Sequence, residues 1–291
     1  MEDILRPIYQ ERASWPSTLG VLLIEKNPNE VSTTDTFDYI LLMVVNDSDE
    51  PVTIKHYMYK DQKAALHIVH QDQLDEWMLL GTNKKIIEWI FNGRIVFDRN
   101  EYLENLRTEL QEFPFYGRKL KTGIEFAKLI RRYLDGKSFF ENGHFLDAYN
   151  HIIHSLHHLA RLEIIDQGFH PEVTVWNQVR LIRPQIFKLY EELVSSQESL
   201  SKRLELLFLA SEFLIHSRTQ LGSQHIIDVL SAKEGYWSIA ELIQHPELRY
   251  YSVDLEIVLE YLVDKNVVDI VEVETKGQGI YHRYYTVHGE V

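Results

Sequence analysis

The order of apolar patterns along the chain predicts an α+β protein with a mixed-sheet N-terminal domain, a central α-helical bundle and a C-terminal winged-helix-like domain. Three observations carry this. Short apolar runs bounded by Pro, Asn, Asp, Ser and Thr fill the first hundred residues, the apolar period changes to 3.6 from Phe115 onward, and the last segment reads as helices followed by two strand-like runs. With 45% hydrophobic and 25% charged residues over 291 positions, the chain has the balance of a folded protein of two or three domains.

Residues 3–12 read as a short helix. Residues 19–24 (LGVLLI) and 37–45 (FDYILLMVV) are buried strands, 52–59 (VTIKHYMY) alternates as a third, and 64–69 (AALHIV) makes a fourth. Helices are expected at 72–80 and 83–91, then a strand at 94–98 (RIVFD) and a helix at 100–110. In the bundle, Ile124, Ala127, Leu129, Ile130 and Leu134 mark one helix, and Leu146, Tyr149, Ile152, Ile153, Leu156 and Leu159 the next. Further helical patterns cover 173–194 and 198–218. The last segment predicts helices at 226–231, from Ser238 and across 254–265, then strands flanking the KGQG turn at 276–279, which is the order of a winged helix. The boundaries are drawn at 1–115, 116–222 and 223–291.

Composition excludes several function classes. The formal charge is -14, from 44 acidic and 30 basic side chains, so this is no basic nucleic-acid-coating protein. Without cysteine there is neither a disulfide, nor thiolate-bound zinc, nor a cysteine nucleophile, which points to a reducing cytoplasm. The polar start lacks the apolar core of an export signal, and runs such as 40–45 are far short of the ~20 residues that span a bilayer.

The stretch STTDTFDYILLMVVN at 32–46 resembles the second strand of the nucleotidyltransferase fold related to DNA polymerase beta. GRIVFDRNEYLENLR at 93–107 is similar to the late strand and helix of aminoglycoside and related small nucleotidyltransferases. DAYNHIIHSLHHLARL (147–162) and GFHPEVTVWNQV (168–179) resemble the helical substrate-side domain of such enzymes. The whole order looks like the nucleotidyltransferase-like proteins of Gram-positive bacteria, which carry that fold, a helical domain and a C-terminal winged helix.

That resemblance implies Mg²⁺ chemistry, in which two metals about 4 Å apart are held by carboxylates on one sheet face. An Asp-x-Asp strand supplies two of them on the same side. Here Asp38 matches the second acid, but Thr36 stands in place of the first. On a regular strand Asp35 would point to the opposite face from Asp38. The Gly-Ser turn expected to cradle a triphosphate falls near Ile24 and Glu25, where a carboxylate repels phosphate. The third acid falls in AALHIV, whose one polar residue is His67. Asp38, Asp35 and Glu25 are thus the metal ligands only if the protein is an active nucleotidyltransferase, and Asp38 alone is not enough. The favoured reading is a pseudoenzyme, a regulatory module that binds a nucleotide, another anion or a protein. The alternatives are an active Mg²⁺-dependent enzyme acting on a small molecule or macromolecule, and a winged-helix transcription regulator.

Other clusters have plainer readings. Asp47-Ser48-Asp49 has the acid spacing but turn-forming neighbours, and reads as a hairpin turn. His151, His154, His157 and His158 read as packed or hydrogen-bonded, and Asp98 as a turn or helix-capping acid. Positive charge concentrates at 117–137, with seven Lys or Arg against Glu125 and Asp135. Within it Arg118, Lys119 and Lys121 are the expected anion or phosphate ligands. The third helix of the winged segment carries Asp254, Glu256, Glu260 and Asp264 against Lys265, so it is expected not to read DNA but to pack on the chain or bind a protein.

Overall fold

The computed structural model describes residues 2–27, 34–80, 82–112, 115–277 and 279–289. Ser32 and Thr33 of the motif-like stretch, and Gln278 of the expected turn, lie outside them. The chain falls into two compact units, Met1–Pro114 and Phe115–Val291.

In the first unit, helix α1 (Glu2–Ala13) precedes strands β1 (Thr18–Glu25), β2 (Tyr39–Val45), β3 (Val52–Tyr59) and β4 (Gln62–His70). Helices α2 (Gln71–Leu80) and α3 (Lys84–Asn92), strand β5 (Arg94–Asp98) and helix α4 (Tyr102–Glu112) follow. The strands form one mixed sheet in the order β3-β4-β2-β1-β5, with β2 parallel to β4 and the other neighbours antiparallel. Alternation gives the inner strands β1 and β2 two buried sides. Ile40, Leu42 and Val44 face a core with Leu74 of α2, Trp89 and Ile90 of α3 and Leu103 of α4, whereas Leu41, Met43 and Val45 face Leu5 and Tyr9 of α1.

This topology corrects one expectation. Asp47-Ser48-Asp49 is not a hairpin turn, because β4 lies between β2 and β3. The reason is burial. The apolar run of β4 takes the inner position, while β3, with Ile54, Lys55, His56 and Met58 exposed, takes the edge.

The second unit begins with α5 (Phe115–Glu141) and α6 (Phe145–Asp166), followed by α7 (Val175–Ile182), α8 (Pro184–Ser195) and α9 (Leu200–Leu230). Its core includes Ile124, Leu129 and Ile130 of α5, Ile152, Leu156 and Leu159 of α6, and Leu204, Leu207 and Phe208 of α9. The pattern at 173–194 is two helices, because Pro184 forces Arg183 out of helical geometry, to φ -140° and ψ 74°.

The separate helices expected at 198–218 and 226–231 are one helix of 31 residues. The intervening stretch TQLGSQH is weak in helix propensity, but Thr219, Gly222, Ser223 and His225 are buried, and packing holds the helix continuous. Strand β6 (Trp237–Ser238), α10 (Ile239–Gln244), a 3-10 turn at Arg249–Tyr251, α11 (Asp254–Asp264), β7 (Val268–Glu274) and β8 (Tyr281–Val287) complete the helix-turn-helix and wing. Ser238 opens α10 through a reciprocal capping box with Glu241.

Candidate functional site

In the first unit the acids are occupied locally. Asp38 sits in the bend leading into β2, where its N–H donates to the Lys63 carbonyl and its own carbonyl accepts from Lys26 N–H, both at 2.9 Å. Its carboxylate accepts the Lys63 N–H at 2.8 Å, fixing the start of β4. Asp35 lies in the preceding turn at φ 54° and is ion-paired with Lys85 of α3. The strand alternation expected between Asp35 and Asp38 does not apply, since β2 begins only at Tyr39.

Glu25 ends β1 opposite Tyr39 and is exposed, one position out of phase with the buried Ile24–Ile40 pair. His67 of β4 stands beside Leu42 and meets the Trp89 ring edge-on at 5.0 Å. Burial, with help from nearby His56 and against the pull of Asp35, holds its imidazole below the usual range. Among the described residues, no three His, Asp or Glu side chains are placed to hold a metal ion. The described residues do not fit a two-metal centre.

The second unit treats the basic run differently. Arg118, Lys121 and Glu125 recur at intervals of three and four along α5 and so share one face, whereas Lys119 is turned away and ion-paired with Asp228 of α9. Arg118 and Lys121 therefore belong together and Lys119 does not. On the facing helix, Arg161 donates to Glu125 Oε1 from Nε at 2.8 Å with Nη2 at 2.6 Å, and His158 Nδ1 lies 2.8 Å from Oε2. Burial pushes the Glu125 carboxyl up, but the His158 hydrogen bond and Arg161 outweigh it and bring it to about 2.

Lys121 is 2% exposed. Burial, then repulsion from Arg161, lowers its amine to about 8 despite Glu125. Its Nζ lies 3.5 Å from His170 Nδ1. His170 is held by a braced loop: Gly168 turns the chain at φ 85°, the Gln178 side-chain Nε2 donates to the His170 backbone carbonyl at 2.9 Å, and its Oε1 accepts Glu172 N–H at 3.0 Å. A side chain at 168 would meet Arg118 Nη1 at 3.2 Å, so the guanidinium lies against this turn.

Arg161 and His170 were not singled out from the sequence. Their signal lay in HHLARL and GFHPE, where polar residues interrupt an otherwise apolar helix and the turn that ends it. The histidine set does not converge. His158 is bound to Glu125, His157 abuts Trp176, His151 Nδ1 lies 3.9 Å from Asp135, and His154 is exposed. Asp98 is a cap, accepting Leu103 N–H at 2.9 Å and Glu104 N–H at 3.2 Å at the start of α4.

The third helix of the winged segment, α11, packs on α5. Arg131 binds both the Asp254 carboxylate and the Val253 carbonyl, Tyr261 meets Phe126 edge-on at 5.9 Å, and its hydroxyl lies 3.0 Å from that of Thr219. Fully buried Tyr251 bonds His225 Nδ1 at 3.0 Å and fits only because position 123 of α5 is glycine. The exposed side of α11 presents Glu256, Glu260 and Asp264, with Arg283 of the wing forked onto Glu260 at 2.9 and 3.0 Å.

Comparison with known proteins matches three family models: nucleotidyltransferase-like over residues 1–118, YgxA-like substrate binding domain over 119–218, and helix-turn-helix domain over 224–287. The chain is 56% identical to the uncharacterised protein YgxA of Bacillus subtilis (strain 168), over 98% of this chain and 97% of that protein. The crystal structure of a nucleotidyltransferase-like protein from Exiguobacterium sibiricum 255-15 superposes with a TM-score of 0.84 at 38% identity, covering 99% of both chains.

Proposed function

The chain belongs to the family of nucleotidyltransferase-like proteins that includes YgxA, and we propose that it is a member without transfer activity, used as a binding and regulatory module. The observation that carries this reading is the fate of Asp38. The acid that matches the motif accepts the β4 backbone N–H on Oδ2, Asp35 is ion-paired with Lys85, and Thr36 supplies no carboxylate. Loss of two carboxylates removes the electrostatic centre on which nucleotidyl transfer depends, not an accessory to it. The ligand is a nucleotide or other anion held on the helical segment, at 116–222, by Arg118 and Lys121, or a protein. The absence of cysteine supports reading the chain as cytoplasmic, and no described helix is long and apolar enough to cross a membrane.

Full-length protein with Mg²⁺ and labelled nucleoside triphosphates should label neither protein, RNA, nor small alcohol and amine acceptors. Robust turnover that disappears in Asp38→Ala would overturn the reading and restore the active enzyme.

The helix-turn-helix segment, at 223–291, is proposed to serve as a packing or protein-binding element and not as a DNA reader. Its third helix lies on α5, and its outer side is acidic where phosphate contacts need Lys or Arg. Anisotropy titration of the full chain against duplex DNA at low salt should show no submicromolar binding. Tight binding that weakens steeply with added salt would refute the charge argument.

A further inference from the structure

We propose that the outer edge of β3 is an association surface and that its partner is a second copy of this chain, paired antiparallel, β3 to β3, across a two-fold axis. The inference goes beyond the reading of the chain as a binding module and stands apart from it. β3 is the last strand of its sheet and, among the described strands, is hydrogen-bonded to β4 alone. The His70 N–H donates to the Pro51 carbonyl at 2.9 Å, in register with the Val52–Val69 pair. Backbone groups therefore turn toward β4 at 51, 53, 55, 57 and 59, and those of Val52, Ile54, His56 and Met58 point away from the sheet.

Natural sheets blunt such an edge with brevity, bulges or charge. β5 is five residues long and joins β1 through a register shift, and β7 carries Asp269, Glu272 and Glu274. β3 has eight residues, pairs with β4 without a shift, and holds Lys55 as its one permanent charge. Ile54 and Met58 share one side of the strand and are 51% and 72% exposed. Exposed apolar side chains beside outward-pointing backbone donors and acceptors are what an added strand covers.

Two features select a second copy as that strand. Exposed Asp47, Asp49 and Glu50 precede β3, whereas exposed Lys60 and Lys63 follow it against Asp61 alone. Antiparallel pairing brings the acidic end of each copy to the basic end of the other. The strand is also self-complementary in one register. Outward backbone groups recur at every second residue, so the registers available differ by steps of two. With His56 on the axis, Ile54 stands opposite Met58 of the second copy, Lys55 opposite Tyr57 and Thr53 opposite Tyr59. Moving the axis to Lys55 sets two lysines directly opposite each other. Moving it to Ile54 leaves Met58 and Tyr59 opposite Glu50 and Asp49, beyond the paired strand. Lys55 thus chooses the register and does not block the edge.

The test is sedimentation velocity of the full chain at pH 8, from about 1 to 200 µM, because a strand edge is a small interface and its Kd is expected at about 1–100 µM. The native chain should form a dimer, and Ile54→Lys should weaken it about tenfold or more, since the axis repeats each lost pair twice. Met58→Lys removes the same pairs from the other side and serves if the first variant does not fold. With no cysteine in the chain, one introduced cysteine reports only on its own copy across the axis. On oxidation His56→Cys should cross-link, its two Cα atoms being about 5.5 Å apart, whereas Thr53→Cys, at about 20 Å, should not. A monomer at 200 µM, a dimer equally stable in both lysine variants, or cross-linking at 53 as readily as at 56 overturns the proposal.

Discussion

Replacing Gly123 with alanine sets helix propensity against packing, and packing should win. Within α5 the change is worth about 1 kcal/mol in favour of the helix. The new Cβ, however, would overlap the Tyr251 hydroxyl oxygen, in a ring that is fully buried and stacked on His225 with centroids 5.8 Å apart. Overpacking costs about 1–3 kcal/mol. Displacing the hydroxyl also leaves His225 Nδ1 without that bond, at about 1–3 kcal/mol more. The expected net loss is about 1–5 kcal/mol, centred near 3. Tyr251→Phe removes the clashing oxygen, after which the nearest ring atom to position 123 is Cζ at 3.0 Å, a contact relieved by a few tenths of an ångström. In the Tyr251→Phe background, therefore, Gly123→Ala should change stability by less than about 1 kcal/mol, a strongly non-additive cycle. Urea unfolding of the four proteins, followed by fluorescence and circular dichroism, measures it. Additive costs, or a Gly123→Ala variant more stable than the native chain, would refute the reasoning.

Further outcomes follow from the same contacts. Asp98→Ala should cost about 1 kcal/mol in urea unfolding through loss of the α4 cap. Glu163, buried between Arg183 and Arg218, should be more costly, with Glu163→Ala losing about 3–5 kcal/mol. Glu125, being depressed in the folded state, contributes stability that is present above pH 4.5 and lost as pH falls toward 2. Glu125→Gln should flatten that acid limb in a pH series of thermal melts, and an unchanged limb would show that other carboxylates carry it.

Most of the fold was legible because burial on two sides writes itself as continuous apolar runs, as in β2, and burial on one side as a 3.6 period, as in α5. What stayed hidden depends on contacts distant in sequence. The place of β4 between β2 and β3 is a choice of partner, and no local signal at Asp47-Ser48-Asp49 encodes it. The continuity of α9 rests on Phe126 filling the space that a side chain at 222 would need, a fact 96 positions away. The expected anion ligands were legible as charge but not as direction. One step along a helix is about 100°, enough to separate Lys119 from Arg118 and Lys121. Arg161 stayed unnamed because a buried polar residue in an apolar helix looks, in one sequence, like any interruption of the pattern, and His170 because it lies in the loop beyond that helix, where a polar residue is ordinary.

The unbroken α9 constrains how this chain can be divided and moved. At 1.5 Å per residue it is a rod of about 46 Å whose first half belongs to the bundle and whose last turns are the first helix of the winged segment. Cutting between the matched segments, at 218–224, would sever it mid-rod and strip the partners from Ile226 and Val229, leaving a fragment with an exposed apolar seam. Nor is there a loop at that junction to act as a pivot. The last turns of α9 therefore move with the bundle as one stiff shaft, and any pivot between the bundle and the wing lies beyond Leu230, in the turn at 231–236.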